Sequence, residues 1–176
     1  LAADQEFIEA ASIASYNKEK NEVESRFVNI KYIEDDEWIF FSNYNSKKAQ
    51  DFLSHPQITC LIHWHKINTQ IRIKAKIFKT AEEISDEHYI KRSINKNALA
   101  WSSNQSMPIQ SYEEVITKYE AKLNSNDVAS KRPPYWGGYS FIPYYFEFWE
   151  GDKSRVNKRV ILEYQNKVWQ KLFLQP

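Results

Sequence analysis

At 176 residues, 42% of them hydrophobic and 27% charged, the chain fits one globular domain with its own core and is not a disordered segment. A formal net charge of +1 argues against a broad nucleic-acid footprint but leaves room for a small basic pocket. The single cysteine, Cys60, excludes an internal disulfide framework and suits a reducing cytoplasm, and no apolar run nears the roughly 20 residues of a membrane helix.

Residues 2–19, rich in Ala, Glu, Ile and Lys, predict a helix within an N-terminal segment 1–20. Leu1 is not an initiator, so further residues are expected ahead of it, and no signal segment opens the chain. Strands are predicted over 26–33 and 37–43, with Glu34-Asp35-Asp36 as the turn. Ser46 is placed to cap a short helix, 47–54, that ends before Pro56. A third strand is expected over 57–65. Residues 69–79 alternate cleanly: Ile71, Ile73, Ala75 and Ile77 share one face, and Gln70, Arg72, Lys74 and Lys76 the other. Helices are predicted over 81–94 and 111–123. After Lys131-Arg132-Pro133-Pro134, residues 138–149 carry apolar side chains on both faces and predict a strand buried on both sides; two last strands fit 158–165 and 167–174. Many antiparallel strands with a few helices point to a single α+β domain over 1–176, built as a small barrel.

The chain has three glycines, Gly137, Gly138 and Gly151, and so no Gly-rich phosphate loop. A phosphorylated cofactor would have to be held by side chains and strand-edge amides. Four polar clusters could do this. Arg26 and Lys31 form the first. The second, Ser42 to Lys48, joins hydroxyls, amides and two cations at a strand-to-helix junction, where free N–H groups favour an anion. Trp101 to Ser106 is a polar loop behind an aromatic. Trp149 to Arg159 sets an aromatic and two arginines around a turn. Singly, each has a plain structural reading: Lys47 and Lys48 as a solvated helix face, Arg155 and Arg159 as surface ion pairs, Trp101 and Trp149 as core. His63 and His65 lie two apart on a strand without a third ligand, so no metal site is expected. His55 and His88 read as surface residues, Cys60 as a small core residue, and Tyr32 as packing.

Order and spacing favour a joint reading. The blocks Arg26-Phe27-Val28-Asn29-Ile30-Lys31, Phe40-Phe41-Ser42-Asn43-Tyr44-Asn45-Ser46-Lys47-Lys48, Ala100-Trp101-Ser102-Ser103-Asn104-Gln105-Ser106, Trp136-Gly137-Gly138-Tyr139 and Glu147-Phe148-Trp149-Glu150-Gly151 follow one another over residues 24–176. In these blocks the chain resembles the pyridoxamine 5'-phosphate oxidase family, FMN-binding split-barrel enzymes. The resemblance implies an antiparallel FMN-binding split β-barrel with flanking helices and a homodimer with FMN across its interface. It implies that Arg26, Lys47 and Lys48 hold the FMN phosphate. Lys31, Phe41, Ser42, Gln70, Gln105 and Ser106 would also line the cofactor, and Trp149 and Arg159 would complete its site from the other subunit. Lys47 stands for the family's Arg and keeps the charge but not the fork. For substrate, the resemblance points to Lys31, Tyr89, Arg92, Lys96 and Arg155. Asn157 stands where the family has His, and it cannot become cationic.

The implied activity is oxidation of pyridoxamine or pyridoxine 5'-phosphate to pyridoxal 5'-phosphate, with dioxygen reduced to hydrogen peroxide. Neither nucleic acid nor a membrane enters this reading. Arg155 and Asn157 are its candidate catalytic residues. Asn157 and Lys96 also suit a relative that oxidises another substrate, such as a secondary metabolite, and a flavin- or phosphate-binding protein without turnover is a third reading.

Overall fold

The computed structural model describes residues 8–125, 128 and 131–176, which form a nine-stranded antiparallel sheet and four α-helices. The described chain opens on a strand, β1 (Ala10–Asn17), not on the expected helix, whose residues 2–7 lie outside the described residues. Alanine favours a helix in isolation. Here Ala11, Ile13 and Ser15 alternate inward with period two, and β1 is paired on both edges, by β2 (Glu22–Asn29) and β5 (Gln57–Trp64). Pairing and burial on both edges override the local preference.

The strand expected over 26–33 is broken. β2 ends at Asn29, and β3 (Tyr32–Glu34) turns back onto β4 (Glu37–Asn43). Between them Ile30 N–H donates to Glu9 and Lys31 N–H to Ile39, so the chain crosses at Lys31 from one end of the sheet to the other. α1 (Lys47–Ser54), β6 (Thr69–Lys79) and β8 (Lys158–Gln165) have their expected bounds. The helix expected over 81–94 is α2 (Glu82–Lys91), which stops three residues early; a further helix, α3 (Ile94–Ser102), was not expected and takes in Trp101 and Ser102 of the expected loop, and α4 (Tyr112–Leu123), β7 (Trp136–Glu150) and β9 (Val168–Leu174) complete the chain.

β7 organises the sheet. One edge pairs with β6 from Tyr139 to Glu150. The other pairs with β4 over Trp136–Phe141 and then with β8 over Tyr145–Glu150. The register with β6 shifts between Lys74 and Ala75, opposite Pro143, which has no N–H to give the ladder. The strand therefore changes partners at a bulge, and the sheet is split there and does not close into a ring. Ile13, Phe40, Ile58, Ile73, Phe141 and Phe52 of α1 form the core between the two halves. Cys60 is fully buried within it, and burial raises its thiol to about 12, so it is an inert core residue. The β8–β9 hairpin leaves Val168, Leu172 and Phe173 exposed.

With no glycine at positive φ, the tight turns use Asn21, Asp35, Asn68 and Asn166, residue types that tolerate the left-handed region. Gly138 serves another end. It faces Phe41 across the β4–β7 ladder, and a Cβ there would run into Thr80 and crowd the Phe41 ring. No helix among the described residues is long and apolar enough to cross a membrane.

Candidate functional site

The predicted site residues fall into two groups at opposite ends of β7. The first is built where β4 runs into α1. Lys48 is only 7% exposed, and its ammonium donates to Ser42 Oγ at 3.0 Å and Ser46 Oγ at 3.4 Å. Among the described residues it meets hydroxyls and no carboxylate. Burial, and then the Arg26 charge, lower its pKa to about 8. A buried cation facing only neutral oxygens, at the start of a helix, is a place prepared for an anion. Arg26 stands beside it, tied down on its own side: Nη1 donates to Ile13 O at 3.2 Å and Ser15 Oγ at 2.6 Å, and Nη2 lies 3.4 Å from Glu24 and 3.7 Å from Asp51. The buried Asp51 also accepts from Ser15 and Asn17, fixing β1 to α1. Lys47 is exposed on the outer face of the helix. Ser46 stands at the helix start but donates back to Asn43 O rather than capping.

Gln105 closes the group from the α3–α4 loop, its Oε1 accepting from Ser42 Oγ at 3.1 Å and from Asn43 N–H at 3.3 Å. Ser106 follows with φ of 71°, a conformation that serine adopts at a cost. Beside it opens a cleft of about 160 Å³, lined by Phe41, Ser42, Arg92, Lys96, Gln105 and Trp136 among others. Phe41 and Trp136 stack in parallel with centroids 5.5 Å apart. The Arg92 guanidinium lies 4.2 Å from the Trp136 ring and gives Nη2 to Lys96 O at 2.9 Å, while Nη1 is buried without a partner. Such an unmet donor is costly unless a ligand meets it.

Tyr89 is not in this cleft. It is 1% exposed, its hydroxyl donates to Val128 O at 2.7 Å, and Trp101 Nε1 donates to it at 3.1 Å. The neighbouring His88, expected on the surface, is half-buried and stacks on Phe41 with centroids 3.8 Å apart. Its Nδ1 lies 2.8 Å from the Tyr32 hydroxyl. Tyr32 therefore does more than pack. The missed signal was spacing: His88 stands in the last turn of α2, four residues before Arg92, which follows the helix end. Lys31 lies on the same side and pairs with Glu9 at 3.7 Å.

The second group lies at the far end of β7. Gln70, Trp149 and Arg159 face one another in a row across β6, β7 and β8. Arg159 is held within its own chain: Nε and Nη2 donate to Glu147 Oε1 at 2.8 and 2.7 Å, and Nη1 to Gln175 O at 2.9 Å. Arg72 grips the other oxygen of the same carboxylate. In the β7–β8 loop, Asn157 Oδ1 accepts from Asp152 N–H at 3.0 Å and so stabilises the turn. Arg155 is exposed there with φ of 68°. Among the described residues, the side-chain hydrogen bonds and ion pairs of this group run within its own end of the sheet.

The split antiparallel sheet, with a buried ammonium and an aromatic, cation-lined cleft, defines a split-barrel protein. The chain belongs to the pyridoxamine 5'-phosphate oxidase family. Residues 3–121 match the family described as pyridoxamine 5'-phosphate oxidase, and residues 136–176 match the pyridoxine 5'-phosphate oxidase C-terminal dimerisation region. The chain is 36% identical over 137 residues to a pyridoxine/pyridoxamine 5'-phosphate oxidase of Burkholderia lata, covering 78% of this chain and 64% of that protein, so it spans less than two thirds of this relative. One from Actinobacillus pleuropneumoniae is 32% identical over 152 residues, covering 86% and 73%. Among solved structures, PhzG from Burkholderia lata, in complex with tetrahydrophenazine-1-carboxylic acid, superposes with a TM-score of 0.92 at 25% identity, over 99% of this chain and 86% of that one. A pyridoxamine 5'-phosphate oxidase-related FMN-binding protein from Nostoc punctiforme shares the fold, with a TM-score of 0.82 at 12% identity over 97% and 90%.

Proposed function

We propose that this chain is a cytoplasmic FMN-dependent oxidase that converts pyridoxamine or pyridoxine 5'-phosphate to pyridoxal 5'-phosphate, using dioxygen and releasing hydrogen peroxide. The observation that carries the cofactor is Lys48, a buried ammonium facing only hydroxyls beside Arg26. These residues fit the phosphate of FMN: Lys48 and Arg26 supply charge, Ser42 a hydroxyl, and Lys47 a second ammonium at the rim. Gln105, Ser106 and Phe41 line the path onward from it. When bound, FMN supplies the two-electron chemistry, and the protein supplies binding and orientation.

The remaining roles divide between two copies. Gln70 of β6, Trp149 of β7 and Arg159 of β8 share the end of the sheet away from Ser42 and the Lys48 site of their own chain, and the C-terminal region matches a dimerisation region. A homodimer brings Trp149 and Arg159 of one copy to the phosphate site of the other. Arg92, Lys96 and Lys31 surround the substrate's phosphate, and the unmet Arg92 Nη1 is the donor it would find. Arg155 orients the substrate. Asn157 holds the loop and moves no proton. Tyr89 acts at one remove, by anchoring Trp101.

The likeness to PhzG, together with Asn157, supports a second reading, in which the substrate is a carboxylated polycyclic ring rather than a phosphorylated pyridine. One assay separates the two. The purified protein is expected to carry FMN. With pyridoxamine 5'-phosphate in air it is expected to form pyridoxal 5'-phosphate and hydrogen peroxide in equal amounts. Turnover of a reduced phenazine carboxylate with none of pyridoxamine 5'-phosphate would replace the first substrate by the second. A protein that binds no FMN would overturn both.

A further inference from the structure

We infer that His88 takes up one proton when a phosphate monoester binds between Lys31, Arg92 and Lys96, so that the cleft selects a dianion over a carboxylate and couples binding to proton uptake. The inference rests on the proposed substrate class. Its structural basis is the company His88 keeps. The ring lies flat on Phe41 at 3.8 Å, with Trp136 parallel to one side of the pair at 6.3 Å, and Phe41 and Trp136 both line the cleft. His88 is thus one ring away from the ligand space and four residues from Arg92, whose guanidinium lies on Trp136.

The charged groups that face it come from every side. Lys31 arrives from the crossing before β3 and Tyr32 from the start of β3, Lys91 and Arg92 from the end of α2, and Lys96 from α3. Lys31 has Glu9 and Lys91 has Glu87 as acidic partners, both ion pairs being exposed. Arg92 and Lys96 line the cleft without a carboxylate among the described residues. Burial first, and then these cations, bring the imidazole down to about 4, so the empty cleft holds a neutral ring. A phosphate monoester, with a second pKa near 6, carries between one and a half and two negative charges at neutral pH. Placed among the cations it reverses the field at His88, whereas a carboxylate offsets about half as much.

The proton balance is simple. In the Nε2–H tautomer of the neutral ring, the one this step uses, the Tyr32 hydroxyl donates to Nδ1, which lies 2.8 Å away. The incoming proton comes from solvent and settles on Nδ1. The Nδ1–H then donates to the Tyr32 oxygen, and the hydroxyl hydrogen turns to a new acceptor. One proton leaves solution and the site gains one positive charge.

The test uses the FMN-loaded protein labelled with ¹³C-histidine. The chain has four histidines, and His88→Gln identifies the resonance. The probe is 4-deoxypyridoxine 5'-phosphate, which has neither a reactive amine nor an aldehyde. At pH 6 the free protein is expected to show His88 almost wholly neutral, and the saturated complex to show it more than half protonated. Phenazine-1-carboxylate is expected to bind without that shift. The affinity of wild type relative to His88→Gln for the phosphate probe is expected to fall several-fold between pH 5.5 and pH 7.5. A saturated complex with a still-neutral His88, or an equal shift with the carboxylate, overturns the inference while leaving the substrate reading intact. Failure of the phosphate probe to bind overturns both.

Discussion

Lys48→Met is expected to move two quantities in opposite directions: the cofactor-free protein becomes more stable, and its affinity for FMN falls. In the free protein the ammonium is buried among hydroxyls. Its folded pKa is about 8, against an ordinary value of 10.5. Between those values the unfolded chain binds more protons than the folded one, so stability rises with pH across that window. Below about pH 8 the full penalty is present, of the order of 3 kcal/mol. Methionine has similar length and no charge to desolvate, so it should recover about 1–3 kcal/mol of this at pH 7. Ser42 and Ser46 keep acceptors of their own in Gln105 and Asn43 and are not orphaned. Losing one charged hydrogen bond to the phosphate should weaken FMN by about 10- to 100-fold. Riboflavin, which has no phosphate, should bind as before. Thermal melts from pH 7 to 10, with flavin fluorescence titrations for FMN and riboflavin, read both effects. Unchanged FMN affinity would remove Lys48 from the phosphate site.

Glu147→Gln should give the largest loss of stability. The carboxylate is 3% exposed and takes hydrogen bonds from Arg72, Arg159 and the Tyr145 hydroxyl. Burial alone would raise its pKa, but the two arginines outweigh burial and hold it below the usual carboxylate range. The amide keeps the size and removes the charge, which leaves two guanidinium groups facing each other over a neutral partner. Breaking such a pair costs about 3–5 kcal/mol, or roughly 10 °C in Tm for a chain of this length. A group with a depressed folded pKa stabilises above its unfolded value and loses that contribution as pH falls through the folded one. The gap between wild type and variant should therefore be full at pH 7 and close below about pH 4.5. A gap of under 1 kcal/mol at pH 7 would show that the triad is not a stabilising unit.

Much of this was readable from residues alone, because alternation and proline breaks are local. β6 has its expected bounds since Ile71, Ile73, Ala75 and Ile77 repeat every second position against a single core. α1 has its expected bounds too, stopping before Pro56 for an equally local reason, although Ser46 stands at its start without the expected side-chain cap. β1 was misread because what makes it a strand, pairing with β2 and β5, is not local. The site divides the same way. Ser42 and Lys48 sit six residues apart across one strand-to-helix junction and meet as expected. Tyr89 and His88 are adjacent in sequence yet opposite in placement, because α2 turns one inward against Trp101 and Val128 and the other toward Phe41. Only the phase of the helix decides between them, and composition carries no information on phase.

The split of β7 has a last consequence. Trp136 borders the cleft, while Trp149 stands thirteen positions on, roughly 40 Å along the strand at about 3.3 Å per residue. Under the proposed sharing of FMN, no isolated copy owns a whole site, and cofactor retention becomes a measure of assembly. Dilution would release flavin through dissociation of the dimer, and added flavin would draw copies together by the same linkage. Cofactor supply would then set how much of the protein is dimeric as well as how much is active.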